Sequence, residues 1–333
     1  MFDTTKHTAL TRARMPRALE VYSHEFDGHL AHIARTPKGM WGWGYSELGQ
    51  LGFQSSGFVD PTRLTFPACP KVAELEASLP AWEKHGMVTD VSMDGWQTFI
   101  LTPVGIVAGA DSTWYVGPVE RENSHLFHPV SVPTGFVPDH IMHAWNTVIL
   151  SMGDRQVISG VNWYGQLGLG HENDMSGFVD LPFRVDRIMS NDYFNVFLSD
   201  RQLLFAGEVP RPIAQSGLLS GYSEGDKCLT ATPLRFRERV KGFFCGYELI
   251  WVTEGRTHMY SRDKQYSVPF EATAFDSRQV RIRGRYTLSF RNSTGQWFYA
   301  KTVSDGVAEL VECEAPRWSA EIIPVDLDPW AEL

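Results

Sequence analysis

The sequence predicts an all-β fold, a β-propeller of six blades with seven as the alternative, and three observations carry that prediction. A glycine-rich word occurs twice, as WGWGYSELGQLG from Trp41 and as VNWYGQLGLG from Val161. Each copy is followed by nearly the same second word, SGFVDP from Ser56 and SGFVDLP from Ser176. A short apolar strand also recurs, entered from a turn with a large side chain and often closed by Ser or Thr. Repetition at a fixed period is the mark of a repeat architecture, in which each unit buries its faces only by stacking on its neighbours.

The strand words, in chain order, are GHLAHIA from Gly28, GWQTFILT from Gly95, AWNTVILS from Ala144, DYFNVFLS from Asp192, GYELIWVT from Gly246 and GRYTLSF from Gly284. The residues after the turn are His29, Trp96, Trp145, Tyr193, Tyr247 and Arg285, spaced 67, 49, 48, 54 and 38 residues apart. A polar turn and a second strand follow each word, for example GMWGWG at Gly39, GIVAGA at Gly105 and QLLFAG at Gln202. Units of about fifty residues holding several short strands suit the blades of a propeller. Residues 1–20 read as a disordered tail, and residues 21–330 as one propeller. The oversized first spacing is explained by a short helical insertion near residues 70–84 (PKVAELEASLPAWEK), which Pro80 ends. The strand at His29 precedes the first complete unit, while Trp297 to Trp330 has no successor. The sequence therefore predicts that the amino-terminal strand completes the last blade and closes the ring.

Composition narrows the function. The 333 residues carry a net charge of -9, and 43% of them are hydrophobic. That profile is globular, and it argues against nucleic acid as a direct ligand, which needs a positive surface. Cys69, Cys228, Cys245 and Cys313 form no CxxC pair, so neither a disulfide framework nor a cysteine metal site is expected. No apolar run is long enough to span a membrane. The expected localisation is cytoplasmic or nuclear. A mitochondrial location is the alternative, suggested by Lys6, Arg12, Arg14 and Arg17 near the amino terminus.

The glycine-rich word is not a nucleotide loop, because neither GxGxxG nor Gly-Lys-Ser/Thr is present. There is no HExxH and no convincing Cys-His pair, so no catalytic residue is assigned and no enzymatic activity is expected. The pairs His125/His128 and His140/His143 have i,i+3 spacing in a loop and strand context, and are read as locally hydrogen-bonded rather than metal-binding. No metal or cofactor is expected.

The twice-repeated word resembles the regulator of chromosome condensation repeat. The residues that carry it are Trp41, Gly42, Gly49, Gln50, Leu51 and Gly52, and again Gly160, Asn162, Gly165, Gln166, Leu167 and Gly168. Other units depart from it, as in AGADSTWYVG from Ala108, and the family has seven blades where six are counted here. The resemblance implies a non-catalytic scaffold or adaptor that docks protein partners, such as a subunit or regulator in a tRNA-modification assembly. The alternative it implies is a guanine nucleotide exchange factor for a small GTPase. Photoreception, implied by the likeness of GWQTF and AWNTV to the words of a plant ultraviolet receptor, lacks the arginines, since Gln97 and Asn146 stand in their place.

Equivalent repeat positions point to one end of a propeller. His29, Trp96, Trp145, Tyr193, Tyr247 and Arg285 are therefore the candidate partner-binding rim, built largely of residue types that dominate binding hot spots. Packing of these rings between blades is the competing reading. A secondary candidate is the basic stripe of Arg281 and Arg283, which with Arg285 alternate along one side of a strand.

Overall fold

The structure, a computed structural model, describes residues 14–26, 28–94, 97–109, 113–173, 175, 177–261, 264–276, 288–301, 306–316 and 319–329. These residues form six antiparallel sheets of four or five strands, distributed over two compact units. The first unit takes residues 1–162 and 173–184, and the second takes residues 163–172 and 185–333.

Three sheets lie in the first unit. The first is a meander of Glu20–Phe26, His29–Thr36, Gly39–Ser46 and Ser55–Arg63. The second runs Asp90–Asp94, Gln97–Thr102, Gly105–Gly109 and His128–Pro129, and the third His140–Ala144, Thr147–Met152, Arg155–Gly160 and Val179–Asp180. Inner strands read as unbroken apolar runs because both faces of the sheet are covered; every residue of Gln97–Thr102 is buried. Alternate side chains go to opposite faces. Ile100 joins one core with Ile33, Leu64 and Phe127, while Phe99 and Leu101 join another with Tyr115, Val148 and Val157. The insertion predicted near residues 70–84 is the helix Pro70–Ser78, followed by a 3-10 turn at Lys84–Met87. Leu79 is extended, with ψ 144°, as the residue before a proline must be.

The second unit holds the fourth sheet, Arg187–Ser190, Phe194–Ser199, Gln202–Glu208 and Lys227–Pro233. The fifth contains Val240–Cys245, Glu248–Thr253, Arg256–Ser261 and Lys264–Val268, and the sixth Ala274–Asp276, Leu288–Arg291, Trp297–Lys301 and Glu309–Cys313. Each of these two gains a fifth strand from the returning chain. Ala320–Glu321 pairs with Ala274–Asp276, and Ile323–Leu327 pairs with Val240–Cys245. This corrects the predicted closure: the amino-terminal strand Glu20–Phe26 pairs along its whole length with its own hairpin partner, Val21 opposite Ala34 and His24 opposite Ala31. The last sheet is completed by carboxy-terminal residues. The strand Glu20–Phe26 reads EVYSHEF, with no apolar run like those of the inner strands.

The Ser and Thr residues that end the inner strands cap their hairpins. Thr36 Oγ1 donates to the carbonyl of Gly39 at 2.8 Å, and Thr102 Oγ1 to that of Gly105 at 2.6 Å. At the equivalent turns of the third and fourth sheets, Asp139 Oδ2 accepts the N–H of Gly153, and Asp186 Oδ2 that of Asp200, both at 2.8 Å.

The twice-repeated Gly-Gln-Leu-Gly word is the same turn both times. Gln50 Oε1 accepts the N–H of Leu48 at 3.2 Å, and Gln166 Oε1 that of Tyr164 at 2.9 Å. The closing glycines donate to the opening ones, Gly52 to Gly49 at 2.8 Å and Gly168 to Gly165 at 3.0 Å. Leu51 and Leu167 are fully buried. The turn lies so close to the neighbouring chain that no side chain fits. A Cβ on Gly52 would sit 2.4 Å from the Phe127 ring, and one on Gly165 2.5 Å from the Leu229 side chain. Both glycines also have φ of +74°, a region costly for other residues.

We expect Gly52→Ala to lower stability by about 2–4 kcal/mol, from left-handed backbone strain and overpacking together. At Gly57 an added Cβ would meet nothing within 4 Å, so Gly57→Ala should stay within about 0.5 kcal/mol of the parent. Urea unfolding of the two variants checks the pair; equal midpoints would contradict the packing argument.

Candidate functional site: an aromatic cleft in the second unit

The predicted rim residues do not share one fate. Trp96, Arg285, Arg281 and Arg283 lie outside the described residues. His29 is half-buried and stacks on Tyr45 with ring centroids 4.4 Å apart, its Nδ1 3.9 Å from a Glu47 carboxylate oxygen. Trp145 is a structural corner. Its backbone is left-handed, with φ of 51°, and its N–H donates to the carboxylate of Asp94. Asp94 is also 3.7 Å from His24 Nε2. A non-glycine residue in that conformation persists only when its surroundings hold it there.

Tyr193 and Tyr247 are exposed and come together. They line a cleft of about 520 Å³ with Glu208, Pro210, Arg211, Pro212 and Glu248, among others, within the range of small binding pockets, about 300–1,000 Å³. Tyr247 is the more open of the two, at 86% exposure against 44% for Tyr193. Local chemistry sets each tip. Asn191 Oδ1 accepts the N–H groups of Tyr193 at 2.8 Å and Phe194 at 3.0 Å, an Asx turn that fixes the residue between two strands. Glu208 N–H donates to the Tyr193 carbonyl at 3.0 Å, and Gly246 N–H to the Glu248 carbonyl at 2.9 Å. Pro210 and Pro212 open the short helix Arg211–Ser216, which Gly217 closes with φ of 71°.

Sequence reasoning missed two neighbours. Tyr164 lies 5.2 Å from Tyr193, centroid to centroid, and Trp163 beside it is 53% exposed. Lys227 Nζ sits 5.5 Å from the Tyr164 ring centroid, donates to the Trp163 carbonyl at 3.2 Å and pairs with Glu172. Both aromatics stand inside the second copy of the glycine-rich word, read from sequence as architecture alone. The signal available was the departure between copies: Glu47 and Leu48 hold the corresponding places in the first.

The histidine pairs behave as local groups. His128 Nε2 is 2.7 Å from the Asn123 carbonyl. His140 and His143 share one strand at odd separation, which sends them to opposite faces. Among the described residues no three of His, Cys, Asp and Glu gather in a metal-holding group. His143 packs edge-on against Phe99, centroids 5.0 Å apart. Its Nε2 is 3.1 Å from the Trp145 carbonyl, and its enclosed Nδ1 has no hydrogen-bond partner. Burial pushes its pKa down to about 4, against the opposing pull of the Asp94 carboxylate. His32, stacked on Trp43, is likewise pushed down to about 4 by burial.

No family model matches the sequence, and no curated protein matches it. Solved structures do. Human WBSCR16 superposes with a TM-score of 0.56 at 14% identity, covering 92% of this chain and 84% of that one. Prp20p from Saccharomyces cerevisiae, whose structure was reported with its binding properties to Gsp1p and histones, gives a TM-score of 0.46 at 13% identity over 69% of this chain and 56% of that one. At such identities the likeness shows the fold, an RCC1-like β-propeller, and nothing finer.

The two depressed histidines have a stability consequence. An ordinary histidine titrates near 6.5, so between about pH 6.5 and 4 the unfolded chain holds protons that folded His143 and His32 exclude. Stability should therefore fall as pH drops through that window. The urea midpoint followed from pH 7 to pH 4.5 checks this, and the decline should be shallower in His143→Phe than in the parent. Parallel curves would show that His143 does not titrate as described.

Proposed function

We propose that the protein is a non-catalytic interaction module, an adaptor or regulatory subunit that docks a protein partner on the tyrosine-lined cleft of its second unit. One observation carries this reading: Tyr193 and Tyr247, equivalent residues of two successive repeats, are both solvent-exposed and line the same cleft. Tyrosine adds large, stiff contact area with a polar tip, the combination that concentrates binding energy in interfaces. An exposed pair held by Asx and glycine turns is already placed for a partner and loses little freedom on binding. We place this activity in the cytoplasm or nucleus, within a larger complex.

The reading differs from the first expectation in which residues it uses. Trp145 is committed to its corner with Asp94, which leaves the tyrosines as the docking residues. Tyr193→Ala with Tyr247→Ala should leave unfolding unchanged, because both rings are exposed, and should weaken recovery of a co-purifying partner by about tenfold or more. A folded double variant with an unchanged set of partners would refute the reading. Exchange activity on a small GTPase, the alternative implied by the repeat resemblance, makes a separate demand. Release of labelled GDP from a panel of small GTPases should be unaccelerated, and acceleration of any member would replace the adaptor reading with that of a regulator of nucleotide state.

A further inference from the structure

We propose that the first unit carries a binding site for a compact organic polyphosphate, in chemistry a nucleoside di- or triphosphate. The site is the cleft between residues 14–17 and the hairpin turn at residues 37–38, and it stands whether or not the second unit docks a partner. The cleft measures about 660 Å³, within the range of small-molecule pockets, about 300–1,000 Å³. Arg14, Arg17 and Lys38 line it, all three exposed, and no carboxylate lines it among the described residues. None of the three cationic side chains has a hydrogen bond or ion pair among the described residues.

The carboxylates beside the cleft are already taken. Glu20 is held by Arg35 at 2.9 Å, Glu76 by Arg63 at 2.6 Å, and Glu83 accepts the Trp82 indole N–H at 3.2 Å. Each sits next to the lining. Glu20 follows Arg17 closely in the chain. Glu83 precedes Lys84, whose N–H donates to the Pro37 carbonyl at 3.0 Å. Glu76 Oε1 lies 3.0 Å from where a Cβ on Gly39 would stand. In a chain of net charge -9, three uncompensated cations on one cleft mark a place for an anion.

Two guanidinium forks and an ammonium suit phosphate oxygens, and three positive charges match a di- or triphosphate. Trp41, Pro16 and Pro37 share the lining and offer a flat apolar wall against which a base can lie. The enclosed Nε1–H of Trp41 has no acceptor, a donor still to be satisfied. Gly42, next in the chain, faces the core instead: a Cβ there would meet Leu64 at 2.8 Å and Leu51 at 3.2 Å. The guest is therefore held by side chains and not by the glycine-rich backbone.

An extended polyanion would be poorly served. Past the three cations it runs onto Glu20, Glu76 and Glu83 and onto a chain of negative net charge. A compact guest feels mainly the charges within about 8 Å, the screening length at physiological salt.

The test uses the full chain and ATP carrying a fluorescent N-methylanthraniloyl group on its ribose, titrated without magnesium at physiological salt. Saturable binding at submillimolar concentration is expected, displaced by ATP and ADP. AMP, adenosine and inorganic tripolyphosphate, which lack either the charge or the ring, should displace it at least about tenfold less well. Replacing Arg14, Arg17 and Lys38 together by Gln should weaken binding by about tenfold or more. The urea midpoint of that variant should not move, because all three side chains are exposed. No binding of the labelled ATP, equal displacement by adenosine or tripolyphosphate, or unchanged affinity in the triple variant would overturn the proposal. The first two outcomes are read on the parent protein and do not depend on how the variant folds. Displacement by a polyglutamate peptide or an oligothymidylate at lower concentration than ATP would overturn it in favour of an extended acidic partner.

Discussion

Everything in this fold follows from sheets that bury both of their faces. A strand such as Gln97–Thr102, with no exposed residue, cannot belong to a sheet standing in water, because one face would leave its apolar side chains uncovered. Each sheet must press against a neighbour, and the separation is set by whatever intrudes between their edges. The Gly-Gln-Leu-Gly turn is that intruder. It seats a buried leucine and brings bare backbone onto the segment at His125 and Phe127 in the first unit and onto the outer strand at Leu229 in the second. Glycine is required there for space and backbone conformation at once, which is why the word survives twice while its surroundings drift.

The same architecture explains why one repeat position serves different ends. The hairpin tip has to project a side chain, but the fold does not say into what. At Trp145 the tip meets Asp94 of the preceding sheet and becomes a joint. At His29 it lies on Tyr45. At Tyr193 and Tyr247 the ring stays in solvent beside a second ring and two carboxylates. Chemistry enters through what surrounds each tip, and those surroundings come from loops such as Pro210 to Gly217 that no repeat dictates.

Much of this was legible in the sequence. The repeated words, the unbroken apolar runs and the Ser or Thr after each run pointed to stacked small sheets, because two-faced burial and hairpin capping leave direct marks on residue choice. The helix at Pro70–Ser78 was readable from the helical character of the insertion and from Pro80. The pairing of the returning residues 320–327 was not, since Ile323–Leu327 spells IPVDL, an edge-strand composition that says nothing about which strand it joins. The site was half legible: Tyr193 and Tyr247 were identified by position, but their association with Glu208 and Pro210 depends on a loop with no periodic signature. Trp163 and Tyr164 were hidden inside a word whose glycines explained it too well.

The returning strands also bear on the order in which this chain can be made. During synthesis, the first strands of the fifth and sixth sheets, Val240–Cys245 and Ala274–Asp276, leave the ribosome well before Ala320–Glu321 and Ile323–Leu327 arrive to cover them. For that interval they present open hydrogen-bonding edges, the surface on which nascent chains mispair. The first unit has no such debt, because each of its sheets is a local meander that closes as it emerges. Maturation of the second unit, and with it the tyrosine cleft, therefore waits on its last-made strands.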